Sequence, residues 1–200
     1  MPVLGITGGI ATGKSTFARA LLQYLPAELF DADRCARELL ASDATVRRAV
    51  SEAFGEDILD ESGDFDRARL RALVFADESQ RRKLETILHP AIRRRWSDQA
   101  ASSARAGGWF CVDIPLLFET NAESQFDRVI VVACSPGTQR RRLREARGLD
   151  DAMAEQIIGA QLDLQVKMEK ADHLVWNDST PANLERQAAL LADWLRKRHE

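Results

Sequence analysis

Apolar residues follow two patterns along this chain, short continuous runs and helical repeats. Residues 3–6 form an apolar run that leads into glycines, which is typical of a buried strand ending in a loop. After Lys14, apolar side chains recur at helical spacing up to Leu25 and stop at Pro26. The N-terminal segment is therefore predicted to form a strand, a loop and a helix.

Further strands are predicted in the second half of the chain. Residues 109–119 and 126–136 are β-rich runs whose continuous apolar character is typical of strands covered on both faces. Shorter strands are predicted at 29–30 and at 174–176.

Helical spacing fills most of the remaining sequence. A second helix is predicted at about 34–40, and residues 43–106 form a helical insertion interrupted by the turn-like sequence DESGD at 60–64. The last helix is predicted to begin with Thr180 as N-cap and Pro181 as its first residue. Strands that alternate with helices predict an α/β fold with a parallel sheet between two layers of helices.

Composition and charge narrow the class of protein. The chain has 200 residues, of which 45% are hydrophobic and 30% charged, as in a globular domain with one core. The formal net charge of -3 provides no general field that would attract nucleic acid or an anionic membrane. No apolar run approaches the roughly 20 residues of a membrane span, and the N-terminus lacks a signal-peptide layout. A cytoplasmic protein that binds neither nucleic acid nor membrane is expected.

The three cysteines indicate neither a disulfide framework nor a zinc site. Cys35, Cys111 and Cys134 are odd in number, far apart and without C-x-x-C spacing. Buried thiols are expected instead of disulfides or a zinc site.

The sequence GGIATGKS is the first motif that indicates a function. Gly8, four further residues and then Gly13, Lys14 and Ser15 have the spacing of a loop that surrounds nucleotide phosphates. Glycines, Gly9 included, let backbone N–H groups approach phosphate oxygens closely. The lysine can then reach the β- and γ-phosphates, the serine can bind Mg²⁺, and the following helix dipole favours anions.

Two aspartates favour a kinase over a hydrolase. A kinase needs a second site, where an acceptor meets the γ-phosphate. Asp31 and Asp33 lie at the carboxyl end of the predicted second strand, where ligands bind in open α/β sheets. Alternation along an extended segment would put both carboxylates on one face. Alternatively, Asp33 is an N-cap of the next helix.

A third aspartate closes the strand that begins at Trp109. Asp113 is predicted either to hold a Mg²⁺-bound water or to act as a turn carboxylate beside Pro115.

Five arginines follow the fourth strand, within a predicted helix. They are predicted either to belong to a lid that closes over the transferred phosphoryl group or to form a solvated face. The five are Arg140, Arg141, Arg142, Arg144 and Arg147.

One histidine precedes a proline inside a helical stretch. From the residues alone, His89 is predicted to be structural, and Pro90 to kink or break the helix.

Seven segments of the chain resemble the dephospho-CoA kinase family and together span nearly its full length. In order they are LGITGGIATGKST, FDADRCAREL, LVFADESQRRKLETILHP, DIPLLFE, VIVVACSPGTQRRRL, EQIIGAQ and KMEKADHLVWN. The phosphate loop alone is common to many unrelated proteins. The ordered set of D-A-D, L-H-P, D-x-P-L-L-F-E and K-x-x-x-A-D is far more specific.

The resemblance implies a reaction and its participants. It implies transfer of the γ-phosphate of ATP, with Mg²⁺, to the ribose 3′-hydroxyl of dephospho-CoA, the last step of coenzyme A synthesis. No obligate protein partner is implied.

The resemblance also implies roles for individual residues. Asp33 matches the base or orienter of the hydroxyl, Lys14 the phosphate position, Ser15 the magnesium position and Arg142 the lid arginine. The ATP-binding residues are Gly8, Gly9, Ala11, Thr12, Gly13, Lys14, Ser15, Thr16 and Asn177. The substrate-binding residues are Asp31, Asp33, His89, Pro115, Leu116, Leu117 and Glu119.

The implied architecture is a three-layer P-loop kinase fold in a single domain. A five-stranded parallel core is expected at about 1–40, 108–136 and 171–200, a helical acceptor-binding region at 41–107 and a lid at 137–170.

The sequence departs from the family pattern at three places. Ala11 stands where glycine is common in the family. A gapless match puts Ala146 at the second lid arginine, which leaves the role of Arg147 open. Trp176 and Asp178 replace the usual small or polar neighbours of the implied base-binding asparagine.

Two other functions remain open. A kinase of the same architecture for a nucleoside monophosphate or a shikimate-like acceptor would need different acceptor residues. A GTPase-like switch or regulatory nucleotide-binding module would leave the paired aspartates without a role, and the chain lacks an N-K-x-D guanine signature.

Overall fold

The computed structural model describes residues 2–103 and 108–198. The chain divides into two compact units, Met1–Asp31 with Ala100–Glu200, and Ala32–Gln99. The boundary predicted near residue 107 lies outside the described residues. No helix in the described ranges is long and apolar enough to cross a membrane.

A five-stranded parallel sheet forms the centre of the first unit, which confirms the predicted α/β fold. The strand order is β2-β3-β1-β4-β5, and every neighbouring pair is parallel. The strands are β1 Val3–Gly8, β2 Ala27–Asp31, β3 Trp109–Asp113, β4 Arg128–Ala133 and β5 His173–Trp176.

Helices cover both faces of this sheet. On one face, α1 (Lys14–Tyr24) and α9 (Pro181–Lys197) pack against alternate side chains of the strands, Ile130 and Val132 among them. On the other face, Val129 and Val131 pack in a separate cluster. The remaining helices of this unit are α6 Pro136–Arg147, α7 Asp151–Gly159 and α8 Leu164–Glu169.

The last helix begins as the sequence predicts. The Thr180 side chain accepts a hydrogen bond from the Asn183 backbone N–H, and Pro181 is the first helical residue. Leu184, Ala188 and Leu195 are buried along one side of the helix.

The predicted run at 109–119 forms a strand only as far as Asp113. A turn follows, and its residues Leu117 and Phe118 are buried against Val129 and Val131. The β-rich pattern is wrong only for 114–119, because a buried turn and a buried strand have the same apolar pattern. The prediction that Asp113 closes the strand is confirmed.

The second unit is helical, as predicted. Its helices are α2 Ala32–Ser42, α3 Ala44–Phe54, α4 Arg67–Ala76 and α5 Glu78–Ser103, which extends into the first unit, and a short 3-10 turn spans Glu56–Ile58. The turn predicted at 60–64 is present, closed by an antiparallel bridge between Leu59 and Phe65.

The helix that contains Pro90 is continuous, so the alternative of a break is wrong. α5 spans 26 residues with the proline inside it. A proline removes one hydrogen bond of the helical ladder, and the turns on either side continue here.

All three cysteines are free and buried, as predicted. Burial raises the pKa of the Cys111 thiol to about 12 and that of Cys134 to about 11. Both thiols are therefore protonated and unreactive at neutral pH.

Candidate active site

The loop at residues 8–13 joins β1 to α1, and two of its glycines are required by close contacts. A Cβ at Gly8 would collide with the Val132 carbonyl oxygen. Gly13 has φ 92°, in the left-handed region, and a Cβ there would collide with the Asn177 amide nitrogen. The GxxxxGKS spacing therefore places its glycines where the backbone passes closest to its neighbours.

The N-terminus of α1 is open to a ligand. The helix begins at Lys14 and has no side-chain cap, and Ser15 and Thr16 in its first turn are exposed. The first N–H groups of a helix have no acceptor within it, and the helix dipole favours an anion there. This end of α1 is suited to bind phosphate.

Asp113 joins the loop to the sheet. Its carboxylate pairs with Lys14 Nζ, and its Oδ2 lies 3.4 Å from Ser15 Oγ. It is only 5% exposed and is the last residue of β3, level with Asp31 on β2. The alternative of a simple turn carboxylate is wrong, because the side chain contacts α1.

Asp31 and Asp33 do not share an extended segment. β2 ends at Asp31 and α2 begins at Ala32, so Asp33 lies in the first turn of that helix. The predicted alternation is wrong because the chain becomes helical one residue after the strand. The N-cap alternative is also wrong, since Asp33 is the second residue of α2. A carboxylate in this turn is favoured by the helix dipole.

Arg142 is the arginine of the predicted lid that contacts the phosphate loop. Its Nη1 donates to the carbonyl oxygens of Ala11 at 3.2 Å and Thr12 at 3.1 Å, and its Nη2 donates to the Asn177 carbonyl at 2.8 Å. Asn177 is itself buried, and its Nδ2 donates to Thr12 O at 2.8 Å. Arg142 and Asn177 therefore hold the outer side of the loop together.

The other four arginines form no hydrogen bond with the loop among the described residues. Arg140 pairs with Glu155 at 2.8 Å and Arg144 with Asp151 at 3.4 Å. Arg141, Arg144 and Arg147 are exposed. The solvated-face alternative therefore describes this side of α6.

The turn after β3 is anchored to the sheet and to α8. The Pro115 carbonyl accepts from Thr7 Oγ1 and from Lys167 Nζ, both at 3.2 Å. Glu119 Oε1 lies 2.7 Å from Lys167 Nζ and accepts from the Leu162 N–H at 3.0 Å. Leu116 is partly buried in the same turn.

His89 lies in α5, within the second unit. Burial lowers the pKa of its imidazole, so the ring is neutral at pH 7.

Three side chains with important contacts were missed from the sequence. Gln139 and Gln161 bond the phosphate loop, and Lys167 holds the turn after β3. All three lie in segments that resemble the dephospho-CoA kinase family. The resemblance alone does not indicate which residues these side chains contact.

The Ala11→Gly variant is expected to be more stable by about 0.5–1 kcal/mol. Ala11 has φ 58°, a left-handed conformation that costs an L-residue roughly 1–2 kcal/mol, and added freedom of the unfolded chain offsets part of the gain. Urea denaturation measures the change. Ala189→Gly, within α9, is the control and should lose about 1 kcal/mol. A loss of stability at both positions would contradict the strain at Ala11.

Comparisons with known proteins identify the family of this chain. The family model for dephospho-CoA kinase matches residues 2–183. A dephospho-CoA kinase of Geobacillus kaustophilus is 40% identical over 193 residues, covering 96% of each chain, and one of Anaeromyxobacter dehalogenans is 42% identical over 195 residues, covering 96% of this chain and 92% of the relative. The structure of a dephospho-CoA kinase from Campylobacter jejuni has the same fold, with a TM-score of 0.72 and 24% identity over 99% of this chain and 98% of that one. The chain belongs to the dephospho-CoA kinase family.

Proposed function

We propose that the protein transfers the γ-phosphoryl group of ATP to the ribose 3′-hydroxyl of dephospho-CoA, giving coenzyme A and ADP. Family membership supports this reaction. The observation that carries it is the cluster of Lys14, Ser15 and Asp113 where β3 ends, beside an open helix N-terminus. Phosphoryl transfer depends mainly on positioning and on electrostatic stabilisation, which such a cluster supplies.

The ATP phosphates would bind at the loop, with Lys14 on the β- and γ-phosphates. For this, the Lys14 ammonium has to exchange part of its contact with Asp113 for phosphate oxygens. Arg142 has five N–H donors. Three of them donate hydrogen bonds to carbonyl oxygens of the loop and of Asn177. Its charge would help offset the charge that develops on the transferred group.

Mg²⁺ fits the oxygen atoms present at this cluster. Ser15 Oγ and the Asp113 carboxylate are hard ligands of the kind that Mg²⁺ prefers, Asp113 acting through a bound water. The ion would neutralise charge between the phosphates.

The acceptor hydroxyl would be oriented by Asp33, which accepts its proton or positions it, with Asp31 nearby in the chain. Residues 115–119 and His89 are proposed to line the acceptor side. The helical region at 41–107 is proposed to hold the rest of the acceptor.

A cavity inside the second unit supports this role of the helical region. Its volume is about 510 Å³, within the range of ligand pockets. The walls combine apolar side chains, such as Leu40 and Phe65, with two arginines and two aspartates, and Arg47 pairs with Asp64 at 3.0 Å. The apolar part of this lining suits an apolar arm of the acceptor.

The reaction is tested by ADP formation in the presence of Mg²⁺ and ATP, with dephospho-CoA, AMP, GMP, CMP and shikimate compared as acceptors. Turnover is expected with dephospho-CoA alone. Turnover with a different acceptor would support a kinase whose substrate is that acceptor. A preference for GTP without acceptor-dependent turnover would favour a regulatory nucleotide-binding module.

A further inference from the structure

Two glutamines outside the phosphate loop bind both backbone polar groups of a single loop residue. Gln139 Nε2 donates to the Ile10 carbonyl oxygen at 2.8 Å. Gln161 Oε1 accepts from the Ile10 N–H at 2.9 Å. We call these two side chains the glutamine clamp.

The glutamine clamp is part of the packed structure. Gln139 lies in α6 and is 3% exposed, and Gln161 follows α7. A Cβ at Gly9 would lie 2.8 Å from Gln139 Nε2. The absence of a side chain at Gly9 therefore gives Gln139 room to reach the loop.

The direction of the loop carbonyls fixes the direction of its N–H groups. The peptide bonds are trans, so each carbonyl points opposite to the N–H of the next residue. The Ile10 carbonyl faces Gln139, which turns the Ala11 N–H away from α6. The Thr12 carbonyl is also held by side-chain donors, so the Gly13 N–H turns away from them. N–H groups oriented in this way form an anion-binding nest.

We propose that Gln139 and Gln161 are positioning residues that preorganise the phosphate loop for the phosphates of ATP. The proposal rests on ATP binding at this loop, as in the proposed function. Without the glutamine clamp, the peptide groups on either side of Ile10 would be free to rotate. ATP would then have to order them on binding, which weakens its affinity.

Removing either hydrogen bond is expected to raise the Kd for ATP about 3- to 10-fold. The variants are Gln139→Met and Gln161→Met, which keep an unbranched side chain of similar length. Gln165→Met is the matched control, because Gln165 is exposed on α8 and bonds Glu169. Isothermal titration with ATP and no acceptor measures the Kd, and thermal unfolding checks that each variant is folded.

Glutamate at the two positions separates hydrogen-bond direction from charge. Gln161→Glu keeps an acceptor for the Ile10 N–H and should bind ATP more tightly than Gln161→Met. Gln139→Glu replaces a donor with an acceptor facing the Ile10 carbonyl, and should bind ATP more weakly than Gln139→Met. Both substitutions add the same charge beside the same loop residue.

Two results would overturn the proposal. Unchanged ATP affinity in both methionine variants would show that the glutamine clamp does not preorganise the loop. Equal affinities of the two glutamate variants would assign the effect to charge alone. Wild-type protein is measured first, since failure to bind ATP would overturn the proposed function together with this inference.

Discussion

Asp33→Asn is expected to lower kcat about 10²- to 10⁴-fold while leaving the Kd for ATP within about 3-fold of the wild-type value. Asparagine has nearly the same shape but cannot accept the proton of the ribose hydroxyl at neutral pH. The phosphate loop, which would bind ATP, is chemically unchanged. Initial rates with dephospho-CoA give kcat, and titration without acceptor gives the Kd.

Asp57→Asn is the matched control for this experiment. Asp57 is exposed, lies in the short 3-10 turn of the same unit and has no predicted role at the site. Its kcat should equal that of the wild-type protein. A near-normal kcat for Asp33→Asn would remove Asp33 from the mechanism, and a parallel loss of ATP binding would assign it a structural role.

Elements whose boundaries depend on local chemistry were predicted well from the sequence. The loop before Lys14 contains the glycines that its backbone requires, and Thr180 with Pro181 marks the start of the last helix. These signals lie within a few residues of the structure they determine. The alternation of strands and helices, and with it the α/β fold, was predicted from local patterns of this kind.

Boundaries that depend on tertiary contacts were predicted less well. The β-rich pattern of 109–119 continues past Asp113, yet the strand ends at that residue because the following turn packs against β4. Similarly, Asp33 has a helical backbone although the D-x-D pattern suggested an extended one. In both cases the local pattern is compatible with two conformations, and packing selects one of them.

Contacts between distant residues were not accessible from the sequence. Lys167 lies in the polar sequence QVKMEK, which is typical of an exposed helix, but its side chain is completely buried. Its partners, Glu119 and the Pro115 carbonyl, lie in another part of the chain. Only the fold brings these groups together, and the cost of burying a charge makes their pairing necessary.

Lys167→Met is expected to reduce the free energy of unfolding by about 3–5 kcal/mol, the usual effect of removing one partner of a buried ion pair. Glu119 would keep its charge without the ammonium 2.7 Å away, and its Oε2 is buried without a hydrogen-bond partner among the described residues. The Pro115 carbonyl would lose one of its two donors. Urea denaturation followed by circular dichroism measures the change.

Lys170→Met is the matched control, three residues along the chain. Lys170 lies 3.8 Å from Glu123 and 5.5 Å from the ring centre of Phe118, with 47% of its side chain exposed, so its loss should cost no more than about 1–2 kcal/mol. The double variant Lys167→Met/Glu119→Gln removes both buried charges and should recover much of the stability that Lys167→Met loses. Equal losses for Lys167→Met and Lys170→Met would contradict the assignment of Lys167 as the charge that stabilises the turn after β3. Failure of the double variant to recover stability would instead assign the loss to the hydrogen bond with Pro115, because that bond is missing from both Lys167 variants.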